Sequence, residues 1–504
     1  MYKYRINFAL LFAGLLLLAS CDDFLDVNDN PNSPVSENLE LSAKLPAALV
    51  YTSIQETGQL NQLGAFWGGY WGNTAEAVNR FVKERTYNGT AIAAVRDGIH
   101  VWENNYQALL YYHLIEDEAL NKNELFYAGI AQIMKGWHFM RLVDVYGDVP
   151  FDEALQGTRY AEPVYEPGED VYRKAINLIT EGIQSIKSAP AYAAPGNDDV
   201  VFSGNAQLWA KFGNTIKLRG LIRQSEAGNQ SYINQQLAII ESEGSGFLHV
   251  GEMAVVQPGY QNITGKMNPF WSNYYRSVQG VSTNNLVDLA PTQFAIDAYA
   301  ALNDPRLSLL YTIPDNADVP VGVLFGDASP GQEHRRENVS AFMGPVENNG
   351  QPAALFKSAT QASVLMGDFE SLFLQAEAAY RGWIAGDAAT LYRQAVTASM
   401  HYMEVIDSDL IEAYLQQPEV VFNSSLEQII LQKWLALNSI SSFEAWSDFR
   451  RLNMPAIPNS LSAPSAQARP LRLMYPESEV QSNGREVEKM GITDITSKGV
   501  WWMK

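Results

Sequence analysis

Cysteine is almost missing: there is one, Cys21, in 504 residues. No internal disulfide can form, so the fold must rest on packing, which a chain of this length can supply. Positive charge is also scarce, with 35 Lys and Arg against 56 Asp and Glu and a net charge of −21. Nucleic acid is held by cationic side chains on phosphates, so this balance argues against it as a partner. It also argues against lying flat on anionic lipid. Solubility is the simplest use of the acidity. Histidine is sparse: the six, at positions 100, 113, 138, 249, 334 and 401, are scattered. None makes the His-Glu-x-x-His pair that holds zinc on a helix face. No Gly-x-Ser-x-Gly nucleophile turn is present. Gly259 to Lys266 imitates a phosphate loop, but five residues separate its glycines and Met267 stands where Ser or Thr would hold Mg²⁺. Asp144, Asp148, Asp152 and Glu153 could form an acid/base pair for glycoside hydrolysis, yet such carboxylates usually cap helices or pair with Arg. We expect no catalytic residues, no cofactor and no metal.

An uncharged, strongly apolar run stands near the start. Lys3 and Arg5 precede Ile6 to Ala19, which carries no charge. A cationic segment followed by an apolar one is the form of a secretory signal, and this run is too short for a bilayer, which needs about 20 residues. It ends in Leu18-Ala19-Ser20-Cys21, a bacterial lipobox. Small residues let a peptidase seat the extended chain up to the cleavage point, and the Cys21 thiol takes the diacylglycerol. The alternative is a buried core thiol, the usual place of a lone Cys. Its position between a signal and a polar tether favours lipidation. The expected division is a signal peptide over 1–20, a lipidated N-terminus and tether over 21–38, and one helical body over 39–504. The tether carries a faint calcium-loop echo at Asp26, Asn28, Asn30 and Glu37, with Pro31 where that loop needs Gly.

From Leu39 onward the apolar period is helical. Phe126, Ile130, Ile133, Trp137 and Met140 recur at three- and four-residue steps and predict a helix over 124–146. Further helices are predicted over 171–187, 206–224, 231–241, 369–383 and 388–405, with a last long one over 425–452. Small residues such as Ala376, Ala379, Gly382, Ala388 and Ala395 suit closely packed pairs. This is the grammar of tetratricopeptide-type helix pairs, without the strict 34-residue signature. The fold class is therefore mainly α, with tetratricopeptide-like pairs and long aperiodic loops forming a ligand-binding face.

Two stretches break the period, 244–291 and 311–356, rich in Gly, Pro, Asn and aromatics. Loops this long in a compact body are usually functional. The chain has 11 Trp and 25 Tyr, and two aromatic clusters stand out. In the first, Phe66, Trp67, Tyr70 and Trp71 alternate with glycines and end at Asn73. Flat rings stack on sugar C–H groups through their negative π faces, and Asn73 could bind hydroxyls. The competing reading is a core wedge whose glycines admit a neighbouring helix. In the second, Trp271, Tyr274, Tyr275 and Arg276 lie in an aperiodic stretch with less core to belong to. Residues 321–331, with Phe325, could form a rim. Trp434 and Trp446 read as core, and Trp501 and Trp502 as packing back on the body.

Seven stretches in this order resemble the SusD/RagB family of outer-membrane nutrient-binding lipoproteins. They are Cys21 to Asn32, Val143 to Pro150, Trp209 to Arg223, Asn303 to Arg306, Leu374 to Gly382, Ile430 to Arg451 and Arg472 to Asn483. The resemblance runs over essentially the whole mature chain. It implies a helical body acting as a surface-exposed, lipid-anchored lid on a SusC-like TonB-dependent barrel of the outer membrane. It implies capture of an oligosaccharide or a peptide, handed to that barrel without catalysis. In some Gram-negative bacteria an Asp after the lipidated Cys, here Asp22, retains a lipoprotein at the inner membrane. In organisms carrying this family, acidic residues there accompany surface export. Two other readings stand beside capture: a scaffolding lipoprotein using its helical repeats for protein partners, and a glycan hydrolase on the same anchor.

Overall fold

The computed structural model describes residues 39–464 and 467–503. Cys21, the signal, the tether and the calcium-loop echo at Asp26, Asn28, Asn30 and Glu37 lie outside the described residues. Helices dominate the rest. The chain opens with α1 (Leu41–Thr57) and α2 (Gln59–Trp67). It continues through α3 (Val101–Asn121), α4 (Leu125–Tyr146), α5 (Gly168–Ser188), α6 (Ala206–Arg223) and α7 (Gln230–Glu243). Two short helices, α8 (Pro269–Tyr274) and α9 (Asn284–Asp288), fall in the first aperiodic stretch. Then come α10 (Asp368–Tyr380), α11 (Ala388–Tyr402), α12 (Leu426–Leu437) and α13 (Ser442–Leu452).

The predicted helices are present with ends shifted by a few residues, as fraying and capping produce. Helix α5 buries one stripe, from Val171 and Ala175 to Ile183 and Ile186, as a helix on the outside of a bundle should. Helix α4 is buried on almost every side, so it lies between neighbours. Antiparallel pairing follows from which residues touch. A Cβ at Gly129 would meet Gly182 and Ile186, and one at Gly136 would meet Ala175 and Ile179. The partner numbers fall as the α4 numbers rise, so the two helices run in opposite directions, with small residues letting their backbones close in.

The predicted single helix over 425–452 is in fact two. Ser439 takes a left-handed φ of 64°, and α12 and α13 meet at a corner. Polar side chains hold that corner inside the protein. Asn438 Nδ2 donates to the hydroxyls of Tyr299 and Tyr311 at 3.1 and 2.7 Å. Asn61 Nδ2 donates to the Ser439 carbonyl at 2.8 Å, and its Oδ1 accepts from the Ser442 amide at 2.9 Å. Backbone groups freed by the break are therefore paired.

The aperiodic stretches are fastened by two small antiparallel sheets. Strand β1 (Trp71–Asn73) pairs with β3 (Leu289–Pro291), Gly72 lying opposite Ala290. Strand β2 (Ala254–Val256) pairs with β4 (Ser363–Met366), with a register shift between Ala254 and Val255. One hydrophobic cluster runs from Leu41 to Ile495, with a small satellite of Ala290, Val323 and Val339. Trp434 and Trp446 lie in it. Trp502 is fully buried and donates its indole N–H to Asp144 Oδ1 at 2.9 Å. Trp501 packs edge-on against Tyr172. No helix among the described residues is long and apolar enough to cross a membrane.

Candidate ligand-binding face

The first aromatic cluster is interior, which corrects the expectation that it meets ligand. Phe66, Trp67, Tyr70 and Trp71 are each at most 1% exposed, and Asn73 is buried. A ring needs an open face to stack on a sugar, and these rings have none. Their polar atoms are also used. Trp67 Nε1 donates to the Glu84 carbonyl at 2.9 Å, Tyr70 Oη to the Trp434 carbonyl at 2.6 Å, and Trp71 Nε1 to Ser439 Oγ at 2.8 Å. Trp434 answers by donating to the Gly68 carbonyl at 2.7 Å. Asn73 Nδ2 goes to the neighbouring Thr74 carbonyl. Of the cluster's glycines, Gly69 lies against Ile457 and Gly72 against Val323; the close approach of a neighbouring helix falls just before them, where a Cβ on Gly64 would lie 2.3 Å from the Phe443 amide nitrogen. Phe325 is buried as well and stacks on Phe66, so in the 321–331 stretch it points inward.

The second cluster divides. Asn268 builds it: its Oδ1 accepts from the Trp271 amide and caps α8, with Pro269 at the first helical position. Its Nδ2 reaches Gln361 and Ser363 next to β4, so α8 is pinned to the second sheet. Tyr274 and Tyr275 are buried. Tyr275 stacks on Phe356 with centroids 4.7 Å apart, and Phe356 also stacks on Phe270. Tyr274 directs its hydroxyl to Gln62 Oε1 at 3.3 Å. These two tyrosines are supports, which narrows the expected contact set. Trp271 is only half-buried, set edge-on to Tyr275 at 4.6 Å. Arg276 is also half-buried, pairing with Glu347 Oε1 at 2.6 Å. Glu347 Oε2 accepts from the Tyr275 hydroxyl at 2.7 Å. Burial, with that carboxylate adding, pushes the Tyr275 hydroxyl up to about 12, so it stays a donor at any ordinary pH.

Beyond Tyr275 the chain turns back on itself. The Thr283 amide bonds to the Tyr275 carbonyl and the Ser277 amide to the Val281 carbonyl, around Gly280 at φ 78°. The result is a hairpin tip with Gln279, Gly280 and Val281 exposed. Pairing of β1 with β3 carries a distant segment to its base. Arg80 forms an ion pair with Asp288 and donates to Asn285 Oδ1 at 2.9 Å. Asn285 Nδ2 donates to the Asn273 carbonyl at 3.0 Å. The face therefore carries Trp271, Asn273, Arg80, Arg276, Asn285 and Glu347: one partly open ring among amides and paired charges. Arg80, Asn285 and Glu347 were not expected from sequence. They come from three separate stretches, and no local spacing signals that they meet. Such a set can stack one sugar ring and hydrogen-bond hydroxyls.

The four carboxylates considered for hydrolysis have other partners. Asp144 accepts from Trp502 and from the Tyr172 hydroxyl. Asp148 holds the Gly168 amide at the start of α5, Asp152 pairs with Lys174, and Glu153 accepts from the Val164 amide. Among the described residues no group of three or more His, Cys, Asp or Glu is placed to hold a metal ion.

A family model described as "Starch-binding associating with outer membrane" matches residues 45–476. Solved structures share the fold. A SusD homologue from Bacteroides uniformis is 22% identical, the match covering 92% of this chain and 99% of the homologue at a TM-score of 0.71. One from Bacteroides fragilis is 18% identical over 92% of this chain and 100% of its own, at 0.75. A chitin-binding SusD homologue from Flavobacterium johnsoniae is 19% identical over 91% of this chain and 98% of its own, at 0.70. No curated protein matches. Because the family match begins within α1 and runs to Pro476, it spans helical scaffold and loop face together, and the chain belongs to the SusD-like family of outer-membrane-associated binding proteins.

Proposed function

We propose that this protein captures a glycan at the cell surface on the hairpin face and delivers it to a SusC-like TonB-dependent barrel. In this reading residues 1–20 direct export, a lipid on Cys21 holds the protein to the outer membrane, the 21–38 tether gives reach, and residues 39–504 act as one binding body without catalysis. One observation carries the capture site: Trp271 keeps part of its ring open while Tyr275, Phe356 and the Asn268 cap hold it in place. A preorganised ring loses little freedom when ligand arrives. Asn273 and Arg276 beside it offer donors for hydroxyls. The chitin-binding relative and the starch-binding family description favour a glycan over a peptide.

The test is Trp fluorescence of the soluble chain from Asp22 onward, titrated with starch and chitin oligosaccharides, other glycans and peptides. One glycan class should give a saturable change. Trp271→Ala should weaken it tenfold or more, since a factor of ten is only about 1.4 kcal/mol and stacking plus burial of one ring supplies that. Arg276→Ala should weaken it less. Binding that Trp271→Ala leaves intact would move the site elsewhere. Turnover of the bound glycan by the purified chain would overturn the binding-only reading. Co-purification of the lipidated chain with a barrel from intact membranes tests delivery.

A further inference from the structure

Away from the hairpin face, helices α5, α6 and α7 enclose a cleft of about 720 Å³. Its walls include Ile183, Gln184, Gln235 and Ser242. Thr180 and Lys217 also line it. Lys217 is 1% exposed. Its ammonium donates to Thr180 Oγ1 at 2.8 Å, and that hydroxyl is itself directed to the Ile176 carbonyl. No carboxylate lies within 4.0 Å of Lys217 among the described residues. Among the described residues Glu243 is the acidic group whose field it feels, and Glu243 is already engaged. It accepts from Lys187 at 2.6 Å, from Asn214 Nδ2 at 2.7 Å, and from the Ser245 hydroxyl and amide at 2.7 and 3.0 Å. A buried ammonium without a counter-charge is costly unless something neutralises it. Burial draws the Lys217 amine down to about 8, so at neutral pH the positive form still prevails.

One turn before Lys217 on the same helix face stands Asn214, fully buried and lining the same cleft. Its Nδ2 donates to two acceptors, Glu243 Oε2 and the Gly246 carbonyl. That fixes the amide orientation, and Oδ1 is left buried with no partner. A cation without its anion and an acceptor without its donor thus sit side by side. We infer that this cleft is a second ligand site, selective for a hydroxylated carboxylate of the sugar-acid class. The carboxylate pairs with Lys217, a ligand hydroxyl donates to Asn214 Oδ1, and Ile183 packs on the carbon skeleton. The volume suits one or two sugar residues. This site does not depend on the capture site proposed above.

The experiment is calorimetric titration of the chain from Asp22 onward with glucuronate and galacturonate at pH 7. Glucose and galactose, which lack the carboxylate, and acetate, which lacks the hydroxyls, run alongside. The sugar acids should bind at least tenfold more tightly than the neutral sugars and than acetate. Lys217→Met should remove that preference while leaving the melting temperature unchanged or higher, because an unpaired buried charge is gone. Trp271→Ala should leave it intact. At pH 8 the wild type should take up protons on binding glucuronate, seen as heats that differ between buffers of different ionisation enthalpy. This readout needs no variant to fold. No heat with either sugar acid, equal binding by Lys217→Met, or no proton uptake would overturn the site. Acetate binding as tightly as glucuronate would overturn the role given to Asn214.

Discussion

At the scale of single residues, His138 shows how burial sets chemistry. It is fully buried. Asn105 Nδ2 donates to the Val101 carbonyl at 2.7 Å, which turns Asn105 Oδ1 toward the ring, 2.8 Å from Nδ1. So Nδ1 carries the proton, and Nε2 accepts from the Thr52 hydroxyl at 2.9 Å. Thr52 in turn accepts from Tyr112. The neutral ring is satisfied on both sides. Burial, with the Arg141 charge adding, pushes its pKa down from 6.5 to about 3. The folded value lies below the unfolded one, so the unfolded chain takes up the proton first as pH falls. Stability from this group is full above about pH 6.5 and drains toward about pH 3, by up to about 1.4 kcal/mol per pH unit. Half-buried His113, also lowered by burial, acts in the same direction, whereas Glu84 and Glu479, raised by burial, oppose it. Urea unfolding should therefore show midpoints falling from pH 7 to pH 5. His138→Gln should start about 1–3 kcal/mol lower, having broken a buried chain of hydrogen bonds, but with a shallower slope. An unchanged slope would mean that His138 is not the group titrating.

Among elements, the informative contact is α2 against α13. Alanine in a helix interior is ordinarily better than glycine by about 1 kcal/mol. At Gly64 that gain is outweighed, because the new methyl would meet the backbone of Ser442 and Phe443 at 2.5 and 2.3 Å. Backbone cannot step aside as a side-chain tip can, and overpacking of this kind costs about 1–3 kcal/mol. Gly64→Ala should lower the melting temperature. Gly484→Ala, with nothing within 4 Å of its Cβ position, should leave it unchanged or raise it. Equal effects would mean that α13 is not seated as described. The same contact shows what the sequence made legible. Periodicity located the main helices, whereas Gly64, which makes this contact, lies just outside the glycines among the rings, of which Gly69 and Gly72 meet Ile457 and Val323. Periodicity could not show the corner at Asn438 and Ser439, since the apolar repeat runs straight through it. What turns the chain is a set of partners, Asn61, Trp71, Tyr299 and Tyr311, more than a hundred residues away. The binding face was half legible for the same reason. Trp271 and Arg276 announce themselves as neighbours in an aperiodic stretch. Arg80 and Asn285, 205 positions apart, meet only because β1 pairs with β3. And an aromatic cluster reads alike whether its rings face solvent or core.

On the scale of the whole molecule, one carboxylate joins five helices. Glu444 on α13 pairs with Arg141 of α4 at 2.6 Å, with Arg219 of α6 at 3.4 Å, and with Arg223 of α6. Arg141 extends the network to Glu56 of α1, and Arg219 to Glu370 of α10. Burial alone would raise the Glu444 carboxyl; Arg219, Arg223 and Arg141 together outweigh it and hold it well below the usual carboxylate range. Its contribution is thus present above the unfolded value of about 4.3 and is lost as pH falls through the folded value. Removing the charge at neutral pH does more than remove attraction: it leaves three guanidiniums gathered around a neutral amide. Breaking a buried pair in this way costs about 3–5 kcal/mol, whereas a partly exposed surface pair is worth about 0–1 kcal/mol. Glu444→Gln should therefore lower the melting temperature far more than Glu347→Gln, which loosens the half-buried Arg276 pair on the binding face and leaves an amide to accept from the Tyr275 hydroxyl. Calorimetry of the two variants separates scaffold from site. Glu444→Gln should unfold at lower temperature in one transition, because the helices it joins share one core. A split into two transitions would show that the helices around Glu444 do not stand or fall together.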